Sequence, residues 1–195
     1  MSQLELNQGD NFKFGVDVSR SMEEKDCPGG LSRIAYLKEQ TIAFAREASK
    51  YDPDGIDVYT FGATVKKYAN ITADRAADVI GGLQANESAT QTHLLIQQAY
   101  DDHKKEGHAQ TVLFIATDGA PSDKDAVRGI IRKIASEIKD EHEFAISFLQ
   151  VGNDAGIAQF LAELDDNLNA KYDIVDVKRL DQVNFLEAFD GALHD

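Results

Sequence analysis

Residues 111–119 read Thr-Val-Leu-Phe-Ile-Ala-Thr-Asp-Gly, and this stretch decides the fold. A near-continuous hydrophobic run of strand length marks a strand covered on both faces, as at the centre of a parallel sheet. It stops at the polar pair Asp118-Gly119. Upstream, Phe12, Phe14, Val16 and Val18 alternate with period two and make a strand ending at Ser19. Residues 56–61 and 65–71 are further strand runs, and Gly62-Ala63-Thr64 between them reads as a hairpin. Downstream, 144–151 is a second buried strand and 174–177 a last one.

Helical spacing fills the intervals. Ile34, Leu37, Ile42, Ala45 and Ala48 recur along 33–50, which Tyr-Asp-Pro-Asp-Gly at 51–55 terminates. Residues 73–83 and 93–105 read as helices, followed by one marked by Val127, Ile130, Ile131, Ile134 and Ile138. Ile157, Phe160, Leu161, Leu164 and Leu168 mark another, and residues 183–193 supply the last. Strands alternating with helices imply an α/β, three-layer, Rossmann-like fold. Its mostly parallel sheet of about six strands carries one antiparallel edge strand from the hairpin, with helices on both faces. The three prolines, at 28, 53 and 121, are scattered, and no repeat or linker divides the chain. A single domain over 1–195, with its core in about 10–193, is expected.

In such sheets ligands sit at the carboxyl ends of strands, so chemistry is expected just after residues 18 and 117. Asp17-Val18-Ser19-Arg20-Ser21 follows the first strand and Thr117-Asp118-Gly119 the buried one, while Ala89-Thr90-Gln91-Thr92 opens the helix between them. Two carboxylates and several hydroxyls at one end of one sheet form an all-oxygen set suited to a hard divalent cation, most naturally Mg²⁺. Residues 17, 19 and 21, alternating as the strand leaves its sheet, can converge on one point.

These residues resemble the metal-ion-dependent adhesion site of the von Willebrand factor A domain, whose pattern is Asp-x-Ser-x-Ser, then a Thr, then an Asp. Asp17, Ser19 and Ser21 match the first loop, Thr90 the second and Asp118 the third; the resemblance extends over about residues 10–193. The middle variable position, usually Gly in the family, is Arg20. The resemblance implies that Ser19, Ser21 and Thr90 ligate the ion directly and that Asp17 and Asp118 act partly through water, Asp118 shifting between direct and indirect contact. An ion held by neutral hydroxyls keeps much of its double charge and attracts a carboxylate to its vacant position. The expected function is therefore Mg²⁺-dependent protein binding, with Mn²⁺ or Ca²⁺ as alternates, through a partner's Glu or Asp. The chain also resembles stand-alone bacterial members of the family, some of which serve stress-response or metal-resistance systems.

Composition narrows the partners. With 20 Lys and Arg against 34 Asp and Glu, the net charge is −14, which opposes binding to nucleic acid and to anionic membranes. The amino-terminal residues lack the basic start and apolar stretch of a secretory signal, so a cytoplasmic location is expected. The one cysteine, Cys27, excludes an internal disulfide and lies beside Asp26 and Pro28-Gly29-Gly30, a poor setting for a nucleophile. The five histidines have no helical pairing and read as surface positions.

Blander assignments cover the remaining polar residues. Thr92 is read as a helix N-cap, Asp123 and Asp125 as caps of the helix near Ala126, and Glu23-Glu24-Lys25-Asp26 as a solvated loop. Asp17 and Asp118, without an ion, are expected to face each other uncompensated, so that Asp118→Asn gains about 1 kcal/mol in the metal-free fold. A haloacid dehalogenase mechanism fails because its second aspartate is Ser19 here, and the glycine-rich nucleotide motifs are missing. A metal-assisted hydrolase acting on a phosphoester or ester remains as the alternative, without an identifiable general base; a purely structural subunit is a third reading.

Overall fold

The computed structural model describes residues 11–50, 54–107 and 110–180. Its strands and helices alternate as β1 (Asn11–Asp17), α1 (Arg33–Ala48), β2 (Ile56–Phe61), β3 (Val65–Ile71), α2 (Ala73–Gly81), α3 (Thr92–Glu106), β4 (Thr111–Thr117), α4 (Lys124–Glu137), β5 (Phe144–Gln150), α5 (Ala155–Asp166) and β6 (Val175–Arg179). The six strands form one sheet in the order β3-β2-β1-β4-β5-β6. Every pairing is parallel except that of β2 with β3, which places the hairpin's second strand antiparallel at the edge. The expected α/β architecture is therefore observed. The helix expected over 183–193 lies outside the described residues.

Burial explains why the strands read as they do. Along β4, Val112, Phe114 and Ala116 join the cluster under α1 and α2, while Leu113 and Ile115 join the one under α3, α4 and α5. Both faces of β4 are covered, so the sequence has no polar face to show. In β1, Phe12, Phe14 and Val16 face α1. The alternate residues Lys13 and Asp17 are nevertheless fully buried too, so polarity in this strand marks internal hydrogen bonding and ion pairing rather than solvent.

Lys13 is satisfied by Asp57 at 3.2 Å and Glu106 at 2.6 Å. Lys67 adds contacts to Asp57, Asp102 and Glu106 at 2.7, 3.2 and 2.9 Å, and the Tyr59 hydroxyl donates to Asp102. This ionic group lies at the amino end of the parallel strands, away from the ends where Asp17 and Thr117 emerge. One reading of the histidines is corrected here. His103 is buried, with Nδ1 2.8 Å from the Thr111 hydroxyl and its ring against Tyr100 and Phe144, because the inner face of α3 reaches the start of β4.

Helix starts follow ordinary capping chemistry. Ser32, Asp123 and Asp154 accept hydrogen bonds from the amides of Ala35, Ala126 and Ile157 at the first turns of α1, α4 and α5. Asp125 instead pairs with Arg128 at 2.8 Å one turn on. Thr92 is not the cap of α3. Gln91 holds that position, its amide bonded to the Gly62 carbonyl at 2.9 Å, and Thr92 is the first helical residue and is buried.

Candidate metal centre

Chain direction creates the opening. From β1 the chain runs through α1 to β2 on one side, whereas β4 lies on the other, so the carboxyl ends of β1 and β4 flank the reversal in strand order. Asp17 is the last residue of β1 and Thr117 the last of β4. The buried Asp17 carboxylate accepts the Ser19 amide at Oδ1, 2.8 Å, and the Thr117 hydroxyl at Oδ2, 2.6 Å. Burial pushes this carboxyl up to about 6, against the pull of those hydrogen bonds and with a smaller push from Asp118. Among the described residues no Lys, Arg or His pairs with it.

After Ser19 the chain tightens into a single turn over Arg20–Glu23, which brings alternate hydroxyls together. Ser19 Oγ lies 3.1 Å from Ser21 Oγ, and Ser21 donates to Asp118 Oδ1 at 2.8 Å. Arg20, the departure from the resembled pattern, is accommodated without entering this cluster. Its amide bonds the Glu87 carbonyl at 3.0 Å, and its exposed side chain reaches the Asn86 carbonyl at 3.4 Å.

Thr90 is placed by a separate set of contacts. Ser19 and Glu87 form a parallel bridge, with the Glu87 amide bonded to the Val18 carbonyl at 3.0 Å, so the 86–91 loop continues the sheet beside β1. Glu87 also accepts the Thr64 amide at 3.0 Å, and only a glycine at 62 leaves it room, since a β-carbon there would stand 2.5 Å from Glu87 Cβ. Ser122 grips Thr90 twice, its hydroxyl accepting the Thr90 amide at 3.1 Å and its own amide donating to the Thr90 carbonyl at 2.9 Å. A β-carbon on Gly119 would come within 3.8 Å of Thr90 Oγ1 and 4.0 Å of Ser21 Oγ, so both hydroxyls border the space this glycine leaves. Asp17, Ser19, Ser21, Thr90 and Asp118 are thus neighbours at one end of the sheet.

Arg33 is the residue that sequence reasoning missed. Its Nη1 donates to Asp118 Oδ2 at 2.7 Å, its Nε to Asp26 Oδ1 at 2.9 Å, and its Nη2 pairs with Asp26 and Glu24. The guanidinium holds the Asp26 carboxyl below its usual range. Two expectations are thereby corrected. The 23–26 loop is not merely solvated, because two of its carboxylates grip Arg33, and Asp118 does not lack compensation, because a guanidinium faces it. A signal was present: Arg33 opens α1, where a cation opposes the helix dipole and calls for nearby carboxylates. Cys27, beside the loop, has its thiol pushed up by burial and by Asp26, the opposite of activation.

Residues 14–120, more than half of the chain, match the von Willebrand factor type A domain. The chain belongs to that family. Solved structures agree in fold. This von Willebrand factor A domain superposes on the PilB minor pilin of Streptococcus sanguinis (a D319A mutant) with a TM-score of 0.69 at 10% identity, covering 96% of this chain and 61% of that one. The corresponding values for the von Willebrand domain of the type V pilus tip protein Mfa5 from Porphyromonas gingivalis are 0.63, 8%, 99% and 95%. For the manganese-loaded TRAP protein of Plasmodium vivax they are 0.60, 13%, 99% and 76%. The chain spans 42% to 61% of the length of three of the structures it matches. No curated protein matches its sequence. Among the described residues of the domain no helix is long and apolar enough to cross a membrane, and no three His, Cys, Asp or Glu side chains come together as a ligand group. The oxygens at the β1 and β4 ends are hydroxyls backed by two carboxylates.

Proposed function

We propose that this domain binds another protein through a divalent cation, Mg²⁺ by preference, held by Ser19, Ser21, Thr90, Asp17 and Asp118. The observation that carries the reading is the continuous chain of oxygens from Thr117 through Asp17 and from Ser19 through Ser21 to Asp118, with the Thr90 hydroxyl at the same opening. The residues fit such an ion chemically. The donors are all oxygen, which suits a hard cation, and Asp17 is a buried carboxylate whose charge lacks a partner cation among the described residues. The family neighbour from Plasmodium vivax is described in a manganese-loaded form, which supports a divalent site in folds of this kind.

When bound, the ion supplies a positive centre for a Glu or Asp of the partner. The chain's own residues do the remaining work. Hydroxyl donors leave the ion's charge largely uncancelled, Thr117 and the Ser19 amide orient Asp17, and Ser122 fixes the Thr90 loop. Such a local field recruits an acidic group even on a domain of net charge −14. The neighbours that are a minor pilin and a pilus tip protein fit a role in protein interaction rather than catalysis. The alternative, metal-assisted hydrolysis, needs a base beside these oxygens. Among the described residues, the further ionisable side chain hydrogen-bonded to these oxygens is the Arg33 guanidinium, which cannot serve as one.

The test is the thermal midpoint of wild type and Asp17→Ala, first with chelator and then with rising Mg²⁺, because an ion that binds only the folded state raises stability by mass action. A rise in wild type alone is expected, and no rise sinks the metal site. A panel of phosphoester and ester substrates, expected to be inert, addresses the hydrolase reading.

A further inference from the structure

Arg33 occupies a seat built for it. Its side chain is 11% exposed, its amide is tied to the Glu24 carbonyl at 2.9 Å, and its guanidinium lies against Gly152, just beyond β5. That residue has a φ of +77°, which favours glycine, and a β-carbon there would stand 3.0 Å from both Nε and Nη2, so the guanidinium would have to shift to accommodate one. From this seat the guanidinium takes Asp118 Oδ2 while Ser21 takes Oδ1, so both oxygens of that carboxylate are engaged. On its other side it makes a forked, two-point contact with Asp26 and reaches Glu24.

We propose that Arg33 is a tethered counter-cation that competes with the divalent ion for Asp118, and that Asp26 and Glu24 retain it when the ion is bound. The proposal rests on the reading of this site as a metal centre. Arg33 carries a charge that no accessible pH removes, and it is attached to the helix beginning beside the site, so it presents itself to Asp118 at a high effective concentration. Two cations directed at one carboxylate repel each other and share its oxygens, which makes their binding antagonistic. Asp26 and Glu24 already hold the guanidinium on its other side, so its exit from Asp118 does not strand a charge. Ion loading is then governed by where Arg33 is held, and the 23–26 loop is the element that holds it.

The experiment is calorimetric titration of Mn²⁺, and separately Mg²⁺, into the full chain as wild type, Arg33→Gln and Asp26→Asn. Arg33→Gln is expected to bind the ion about tenfold more tightly, within the ordinary range for antagonistic ligands. Asp26→Asn, a change at an exposed loop residue, is expected to bind it several-fold more weakly, because a guanidinium displaced from Asp118 loses one of the carboxylates that retain it. A purely structural Arg33 predicts the reverse for Arg33→Gln, with ion affinity falling as the site loosens. Wild-type binding with equal or weaker binding by Arg33→Gln overturns the proposal and leaves the metal centre standing. Binding by neither protein overturns both. Should Arg33→Gln melt below working temperature in chelator, Asp26→Asn decides alone, and unchanged or tighter binding by it refutes the competition.

Discussion

The Thr117 hydroxyl donates a 2.6 Å hydrogen bond to Asp17 Oδ2, joining the ends of two adjacent strands whose residues are 100 positions apart in sequence. Asp17 is fully buried, so this bond and the Ser19 amide carry much of the solvation its charge has lost. Thr117→Val removes one of the hydrogen-bond donors to the buried carboxylate, which it shares with the Ser19 amide and side chain. A loss of about 2 kcal/mol in urea unfolding at pH 8 is expected. Unchanged stability would show that water reaches Asp17 Oδ2.

Asp118 behaves differently from a bare acidic neighbour of Asp17. It is matched by Arg33, so Asp118→Asn in chelator is expected to cost about 2 kcal/mol, because the side chain is buried and its charged hydrogen bond is lost. The sign opposes the gain anticipated when the two aspartates are considered without Arg33. Denaturant midpoints of the two proteins in chelator check it, and a mutant as stable as wild type would show that the pair contributes nothing.

Asp165 supplies a pH dependence away from the site. Burial, followed by Asp176, Asp166 and Asp173, pushes its carboxyl from 3.8 up to about 6. The folded chain therefore holds a proton there that the unfolded chain releases. The associated stability is complete below about pH 4 and is lost as pH rises toward 6. Asp165→Asn removes the loss, so its melting temperature should exceed that of wild type at pH 8 and match it near pH 4. An equal gap at both pH values would assign the effect to something other than this proton.

Lys13 lies at the opposite end of β1, wholly buried between Asp57 and Glu106. Lys13→Met removes one cation from this group, while Lys67 still pairs with both carboxylates and the Asn70 amide still donates to Asp57. The expected cost is about 2 kcal/mol, below the usual penalty for breaking a buried pair because Lys67 remains. The stabilisation that Mg²⁺ confers should be unchanged, since the lysine touches none of the site's oxygens. Thermal melts of the variant with and without Mg²⁺ measure both, and a lost Mg²⁺ response would mean that the two ends of the strand are coupled.

Much of this was legible in the residues themselves. The run at 111–117 had no polar face because β4 has none, and the hairpin showed as Gly62-Ala63-Thr64 between β-branched and aromatic runs. Asp17, Ser19 and Ser21 were readable because their spacing is local, and local spacing survives translation into structure. The limits were equally physical. His103 and Lys13 are polar residues in the interior, and their partners come from other elements: Thr111 in β4 for one, Asp57 in β2 and Glu106 in α3 for the other.

Sequence by itself determined the element order over the described residues, the parallel sheet with its antiparallel edge, and the polar residues at the strand ends, because hydrophobic period and turn chemistry are properties of neighbouring residues. Tertiary structure alone decided that Arg33 reaches Asp118 across 85 positions, that Ser122 and Glu87 pin the loop carrying Thr90, and that Gly152 clears a seat for the guanidinium. Those contacts join segments far apart in the chain. They exist only once burial has brought the ends of β1, β4 and β5 together and removed the water that would otherwise solvate each charge separately.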